Sequence, residues 1–175
     1  MQGVTSRMRV FNMGSGGGDA AFLATGLAGP SGEIVGTDSS PVTVARAASC
    51  ARERSLTNVT FCEGAPAALS FAQGFDTIVG GYVLMFNPNP ASRRKGIAGH
   101  LKPGGVTLFH EVDWSAMRSF PPSPTLDQCC QWIVQSFQKL GTNTTLGLSL
   151  HSVFVDGGLP RTHHGLAGAD GRWHR

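Results

Sequence analysis

The sequence predicts an open α/β sheet, mostly parallel, with helices on both of its faces. Three observations carry that expectation. Short apolar runs alternate with helix-forming stretches from residue 8 to residue 140, a glycine-rich turn closes the first run, and an acid, Asp38, closes the second. Strands alternating with helices at this spacing form parallel βαβ units, in which each helix crosses back over the sheet.

Each element follows from its own residues. Residues 8–13 (MRVFNM) read as a short buried strand ending in the turn Gly14, Ser15, Gly16, Gly17, Gly18. Residues 19–28, rich in Ala and Leu, read as a helix stopped by Gly29 and Pro30. A second strand spans 33–38, and Ser39, Ser40 and Pro41 supply an N-cap and a first-turn proline for a helix reaching about Arg54. A third strand covers 59–62 and a fourth 75–80, followed by a helix from about residue 90 to residue 100. Lys102, Pro103, Gly104 and Gly105 read as a turn, and 106–111 as the fifth strand. Beyond a proline-rich connection, residues 121–140 supply another helix, and 152–158 (SVFVDGG) hint at a further strand. Residues 162–175 carry neither a strand nor a helix period, so the expected organisation is a core domain over 1–160 and an irregular tail over 161–175.

Composition narrows the function classes. At 175 residues the chain suits one domain with a sizeable core. Hydrophobic residues make up 41% and charged residues 14%, the balance of a globular chain rather than a disordered one. The net charge of +3 forms no basic stripe, so neither nucleic acid nor a membrane is an expected partner. No apolar run is long enough to span a bilayer, and no signal-peptide pattern follows Met1. Cys50, Cys62, Cys129 and Cys130 lack the paired spacing of a zinc site, so no metal is expected. The adjacent Cys129 and Cys130 read as two thiols on a half-buried helix rather than a redox pair. A cytoplasmic protein with reduced thiols is the resulting expectation.

The glycine turn carries the chemistry. In an open parallel sheet, ligands bind beyond the carboxyl ends of the strands, where the strand order reverses. Glycines at that place let the backbone approach a ligand with no Cβ in the way, and the next helix aims its unpaired N–H groups there. Asp38 stands at the end of the second strand, the position from which an acid accepts hydrogen bonds from both ribose hydroxyls. The pair reads as a site for a nucleoside-containing cofactor; the competing reading is a tight turn plus a helix cap. A dinucleotide fingerprint asks for a third glycine where this chain has Asp19, and a carboxylate at the helix start repels a pyrophosphate. A cofactor carrying a sulfonium and an ammonium tolerates that acid.

At these residues the chain resembles a known family. The segments VFNMGSGGGD (10–19), EIVGTDSSP (33–41), NVTFCEGAPAALSF (58–71), FDTIVGGYVLMF (75–86) and HLKPGGVTLFHEVDW (100–114) follow the order and spacing of class I S-adenosylmethionine-dependent methyltransferases. The similarity runs from about residue 8 to residue 158 and is closest in kind to the ubiquinone and menaquinone biosynthesis branch. The resemblance implies a Rossmann-like sheet, S-adenosyl-L-methionine as cofactor and a small-molecule methyl acceptor. It implies that Gly14, Ser15, Gly16 and Gly18 line the methionine part, with Asn12 orienting that end, and that Asp38 binds the ribose with Ser39 beside it. Glu63, Gly64, Ala65 and Pro66 would run along the adenine edge, and Gly80, Gly81 and Tyr82 would face the sulfonium and the acceptor.

The chain departs from the family at Asn12, where an acid is usual, and at Ala65, where Asp is frequent. One lost hydrogen bond of that kind costs about 0.5–1.5 kcal/mol, up to roughly tenfold in affinity. The family fold also normally carries an N-terminal helix and a closing strand hairpin, which this sequence is expected to lack. Methyl transfer needs acceptor and methyl held in line, with a base where the acceptor loses a proton. His110, Glu111 and Tyr82 are the candidates for that base, His110 equally reading as a wall residue, and Trp114 and Phe120 are candidates for an acceptor pocket. Against an active methyltransferase stands a second reading, a degenerate domain with weak cofactor binding, and a third, an NAD-dependent oxidoreductase, rests on the glycine turn alone.

Overall fold

Strand β1 (Arg9–Met13) runs through the middle of a five-stranded sheet, and four of its five residues are buried. The computed structural model describes residues 3–87, 89, 92, 96–115, 117–156, 166–167 and 173–174. The other strands of this sheet are β2 (Glu33–Asp38), β3 (Val59–Glu63), β4 (Phe75–Gly81) and β5 (Leu101–His110). Their order is β3-β2-β1-β4-β5, and every neighbouring pair is parallel. The chain therefore travels outward from β1 to β3, then crosses back to β4. That reversal leaves a crevice between the carboxyl ends of β1 and β4, where ligands of such sheets bind.

Helices cover both faces because successive side chains of a strand point to opposite sides. Val10 joins Ile34, Val59 and Val79 in a cluster with Ala21, Ala24 and Ala28 of α1 (Asp19–Ala28) and Ala51 of α2 (Pro41–Glu53). Phe11 and Met13 join the opposite cluster, with Val35, Phe75, Ile78, Leu84 and the α4 (Leu146–Asp156) residues Leu146 and Phe154. Between them in sequence, α3 (Pro124–Lys139) buries chiefly Cys130. Among the described residues, no helix is long and apolar enough to cross a membrane.

Local chemistry sets the helix bounds. Gly18, at φ 95°, starts α1 without a side-chain cap, and Asp19 in the first turn faces the positive end of the helix dipole. Gly29 ends it, at φ 69°, with its N–H on the Thr25 carbonyl. Ser40 caps α2 by accepting from the Thr43 N–H at 3.3 Å, and Pro41 occupies the first turn, as expected from the sequence.

Three expectations change. The stretch from Lys102 to Gly105 is not a turn before β5 but lies inside it, as a bulge. Phe75 pairs with Leu101 and Thr77 with Val106, so two steps on β4 face five on β5. The detour is pinned by the Lys102 ammonium, which donates to Asp76 Oδ1 at 2.8 Å and holds that carboxyl below its ordinary range. Second, residues 152–156 belong to α4, not to a strand. Leu146, Leu150, Val153 and Phe154 recur at helical spacing and pack on the core, which overrides the short strand-favouring run at 153–155. Third, in the tail Leu166–Ala167 (β6) pairs antiparallel with Trp173–His174 (β7). Of the helix expected from about 90 to 100, residues 92 and 96–98 are helical, while 90–91 and 93–95 lie outside the described residues. The rest of the tail also lies outside them, as do 157–158.

Phe11 anchors the face that meets α4. It is 0% exposed, with its ring centroid 5.0 Å from Phe75 and 5.3 Å from Phe71. Phe11→Ala removes a whole aromatic side chain from a packed site and is expected to cost about 3–5 kcal/mol. Urea denaturation followed by circular dichroism checks this; a loss below about 1 kcal/mol would mean that the site collapses onto the gap.

Candidate functional site

The turn after β1 is held to the end of β2 by two hydrogen bonds. The Ser15 N–H donates to the Thr37 carbonyl at 2.7 Å, and the Gly16 N–H donates to Asp38 Oδ2 at 3.0 Å. Gly14, Gly16 and Gly18 sit at φ 64°, 52° and 95°, the left-handed region that L side chains rarely adopt. A Cβ on Gly16 or Gly17 would meet nothing within 4 Å, so the turn opens onto free space. Gly14 is different: its Cβ would lie 2.3 Å from Val83 Cγ2, a close backbone approach that only glycine allows.

Asp38 is the meeting point of three loops. Its Oδ1 accepts from the Ser40 N–H at 3.0 Å, and its main-chain carbonyl accepts from the Gly64 N–H, also at 3.0 Å. Each carboxylate oxygen keeps a second lone pair. Ser39, Glu63 and Ala65 are exposed beside it. Asn12 lies on the β1 floor, 1% exposed, with its amide donating to the Val79 carbonyl at 3.4 Å and its Oδ1 buried without a partner among the described residues. Ser15 Oγ is likewise buried and unpartnered.

The structure brings the expected cofactor residues to one edge of the sheet. Met13 is in register with both Thr37 and Gly80, and Asp38 with Glu63, so the ends of β1 to β4 are level. Gly80 is buried, and a Cβ there would strike Phe109 Cε1 at 2.5 Å. Tyr82 and His110 also come together. Gly81 pairs with His110, the Tyr82 N–H donates to the His110 carbonyl at 2.9 Å, and the two rings are 5.0 Å apart. Tyr82 is 51% exposed at φ 54°.

Glu111 takes a different place from the one its sequence position suggested. It is 8% exposed, and its Oε1 accepts from the N–H groups of Val83 at 2.9 Å and Leu84 at 2.8 Å. Oε2 is buried without a partner among the described residues. Glu111 thus caps the short 3-10 helix Leu84–Phe86 rather than facing outward as a base. The sequence held a faint signal for this, an acid directly after an apolar strand; nothing in it marked Val83 as the residue that covers Gly14.

Beyond β5 the chain lines a cavity of about 340 Å³ with Trp114, Met117 and Arg118 on one side and Cys130, Val134 and Gln135 of α3 on the other. Trp114 is fixed by its main-chain N–H on the Thr144 carbonyl at 2.9 Å, and its ring packs on Phe137, 5.2 Å between ring centroids. Phe120 is 97% exposed and is not part of the lining.

Burial pushes the Glu111 carboxyl above the ordinary value of 4.5, against the pull of the Leu84, Val83 and Met85 N–H groups and the charge of His110. A raised value means that the folded state binds the proton more tightly than the unfolded chain. Glu111 therefore stabilises the fold fully below its ordinary value, and that contribution is lost as pH rises through the folded value. Glu111→Gln is expected to flatten the fall in stability from pH 4.5 upward, read by urea titrations at a series of pH values. An unchanged slope would locate the titration elsewhere.

Comparison with known proteins adds the following. Residues 4–153 match a family model described as a methyltransferase domain. The chain is 33% identical over 106 residues to the demethylmenaquinone methyltransferase of Lactococcus lactis subsp. lactis (strain IL1403), covering 60% of this chain and 42% of that protein. It is similar in structure to a SAM-dependent methyltransferase from Aquifex aeolicus, with a TM-score of 0.70 at 15% identity over 89% of this chain and 74% of that one. The YcgJ protein from Bacillus subtilis gives a TM-score of 0.52 at 30% identity, over 59% of this chain and 44% of that one. The chain thus spans less than half the length of the curated relative and of YcgJ.

Proposed function

The chain belongs to the methyltransferase domain family, and from that premise we propose that it binds S-adenosyl-L-methionine and transfers its methyl group to a small-molecule acceptor. The observation that carries the reading is the hydrogen bond from the Gly16 N–H to the Asp38 carboxylate at 3.0 Å, which joins glycine turn and acid at one crevice. The residues fit the cofactor. Open space lies over Gly16 and Gly17, Asp38 keeps lone pairs for two ribose hydroxyls, and Asn12 Oδ1 is an unused acceptor on the floor. Asp19 at the start of α1 disfavours a pyrophosphate at this turn, which argues against a dinucleotide.

In this reading the loops after β1, β2 and β3 bind the adenosyl and methionine parts, Gly14, Ser15, Gly16 and Gly18 on one side and Asp38, Ser39, Gly64 and Ala65 on the other. When bound, the cofactor supplies an electrophilic sulfonium methyl that leaves a neutral thioether behind. Gly80 and Tyr82 border the acceptor side, and the wall formed by Trp114 and α3 gives the acceptor room. Tyr82 and His110 are the residues we assign to taking up a proton from the acceptor, His110 being supported by its ring contact with Tyr82 at 5.0 Å. The similarity to a demethylmenaquinone methyltransferase and the modest net charge of +3 support a small acceptor over nucleic acid, and the reading keeps the chain in the cytoplasm. The methyltransferase core is read as 1–160, with 161–175 outside it.

Calorimetry with S-adenosylhomocysteine tests the reading directly. Binding is expected, with NADH giving none, and silence at millimolar ligand would overturn the proposal. Asp38→Ala removes the acceptor for both hydroxyls and is expected to weaken binding by about tenfold to a hundredfold. An Asp38→Ala protein that binds as tightly as the parent would leave the ribose assignment without support.

A further inference from the structure

We propose, on the cofactor reading above, that Glu111 is a positioning residue for the amino-acid end of the cofactor, holding the corner after β4 so that Val83 presses on Gly14 and shapes the glycine turn. The corner needs such a hold. Tyr82 leaves β4 at φ 54°, a conformation that costs a non-glycine residue energy, and the next two N–H groups meet no carbonyl among the described residues. Glu111 Oε1, on the residue that follows β5, accepts both, at 2.9 and 2.8 Å. The Tyr82 N–H on the His110 carbonyl fixes the same corner one residue earlier.

Val83 carries that hold to the turn. Its Cγ2 lies 2.3 Å from where a Gly14 Cβ would be, and its Cγ1 lies 2.9 Å from the corresponding point on Gly80. The side chain therefore fills the gap between the ends of β1 and β4, and any shift of the corner moves it against Gly14. From the other side the turn is tied to Thr37 and Asp38. Two acidic side chains thus clamp one turn, Asp38 at the end of β2 directly and Glu111, just past β5, through Val83. Glu111 acts at a distance from the ligand, since it is buried and its Oε1 is spent on backbone N–H groups.

The experiment separates the two ends of the cofactor. S-adenosylhomocysteine carries the amino-acid end, and methylthioadenosine has the same adenosyl group with a methyl in its place. Calorimetry is run with both ligands on the parent chain, Glu111→Ala, Glu111→Gln and Val83→Ala, with thermal unfolding recorded for each. Glu111→Ala and Val83→Ala are expected to weaken S-adenosylhomocysteine about tenfold and methylthioadenosine by less than about twofold. Glu111→Gln keeps an oxygen for the two N–H groups and is expected to bind within about threefold of the parent. Equal losses for both ligands, or a Glu111→Gln protein as weak as Glu111→Ala, overturn the inference while leaving the cofactor reading intact. A parent chain that binds neither ligand overturns the cofactor reading and the inference with it. Where Glu111→Ala does not fold, Val83→Ala against Glu111→Gln gives the same comparison.

Discussion

The hydrogen bond from Gly16 to the Asp38 carboxylate organises the carboxyl edge of the sheet. A carboxylate accepting a backbone N–H makes a charge-assisted bond, worth about 1.5–3 kcal/mol. Here one side chain makes two, to Gly16 and Ser40, while its own carbonyl receives Gly64. The glycine turn, the start of α2 and the loop after β3 are thereby fixed relative to a single residue. Remove that residue and each loop keeps its local structure but loses its common reference.

The opposite wall is built by a different logic, that of close packing around missing side chains. Gly36 and Gly80 flank β1 on either side, and a Cβ on either would lie 2.5 Å from an aromatic carbon, of Phe61 and Phe109 respectively. Gly14 admits Val83 in the same way. Glycine at these points lets rings and methyls from neighbouring elements lie directly on the backbone of the central strands. Interiors packed to this density move as blocks, so the turn follows what its neighbours do.

What could be read from the sequence depended on whether the signal was local. The bounds of α1 and β2 were legible because Gly29 and Pro30 stop one and Asp38 closes the other, each through its own backbone preference. Asp38 as the partner of the glycine turn was legible because its strand position fixes where its side chain goes. The bulge in β5 was not, since Pro103 and Gly104 signal a turn whether or not pairing resumes on both sides of it. Nor was the helix over 152–156, because Val, Phe and Val at 153–155 form a short strand-favouring run while the helical stripe that wins begins earlier, at Leu146. Glu111 and Val83 were illegible for a further reason: Glu111 meets Val83 28 residues away in the chain and Val83 meets Gly14 from farther still, contacts that no window of sequence contains.

Asn12 shows how the two walls bear on each other. On the cofactor reading, the usual acid at this position would attract the ammonium of the methionine end, yet Asn12 is 1% exposed, where an unpaired carboxylate would be costly to desolvate. The amide avoids that cost and still leaves Oδ1 as an acceptor, but it offers no charge. A neutral floor shifts the hold on that end from electrostatics to shape and backbone N–H groups, which are set by how the glycine turn is pressed from outside. The turn is pressed by Val83, and Val83 is held by Glu111, the one buried acid among the described residues. The acidic group absent beneath the turn thus reappears behind it, where it fixes backbone instead of ligand.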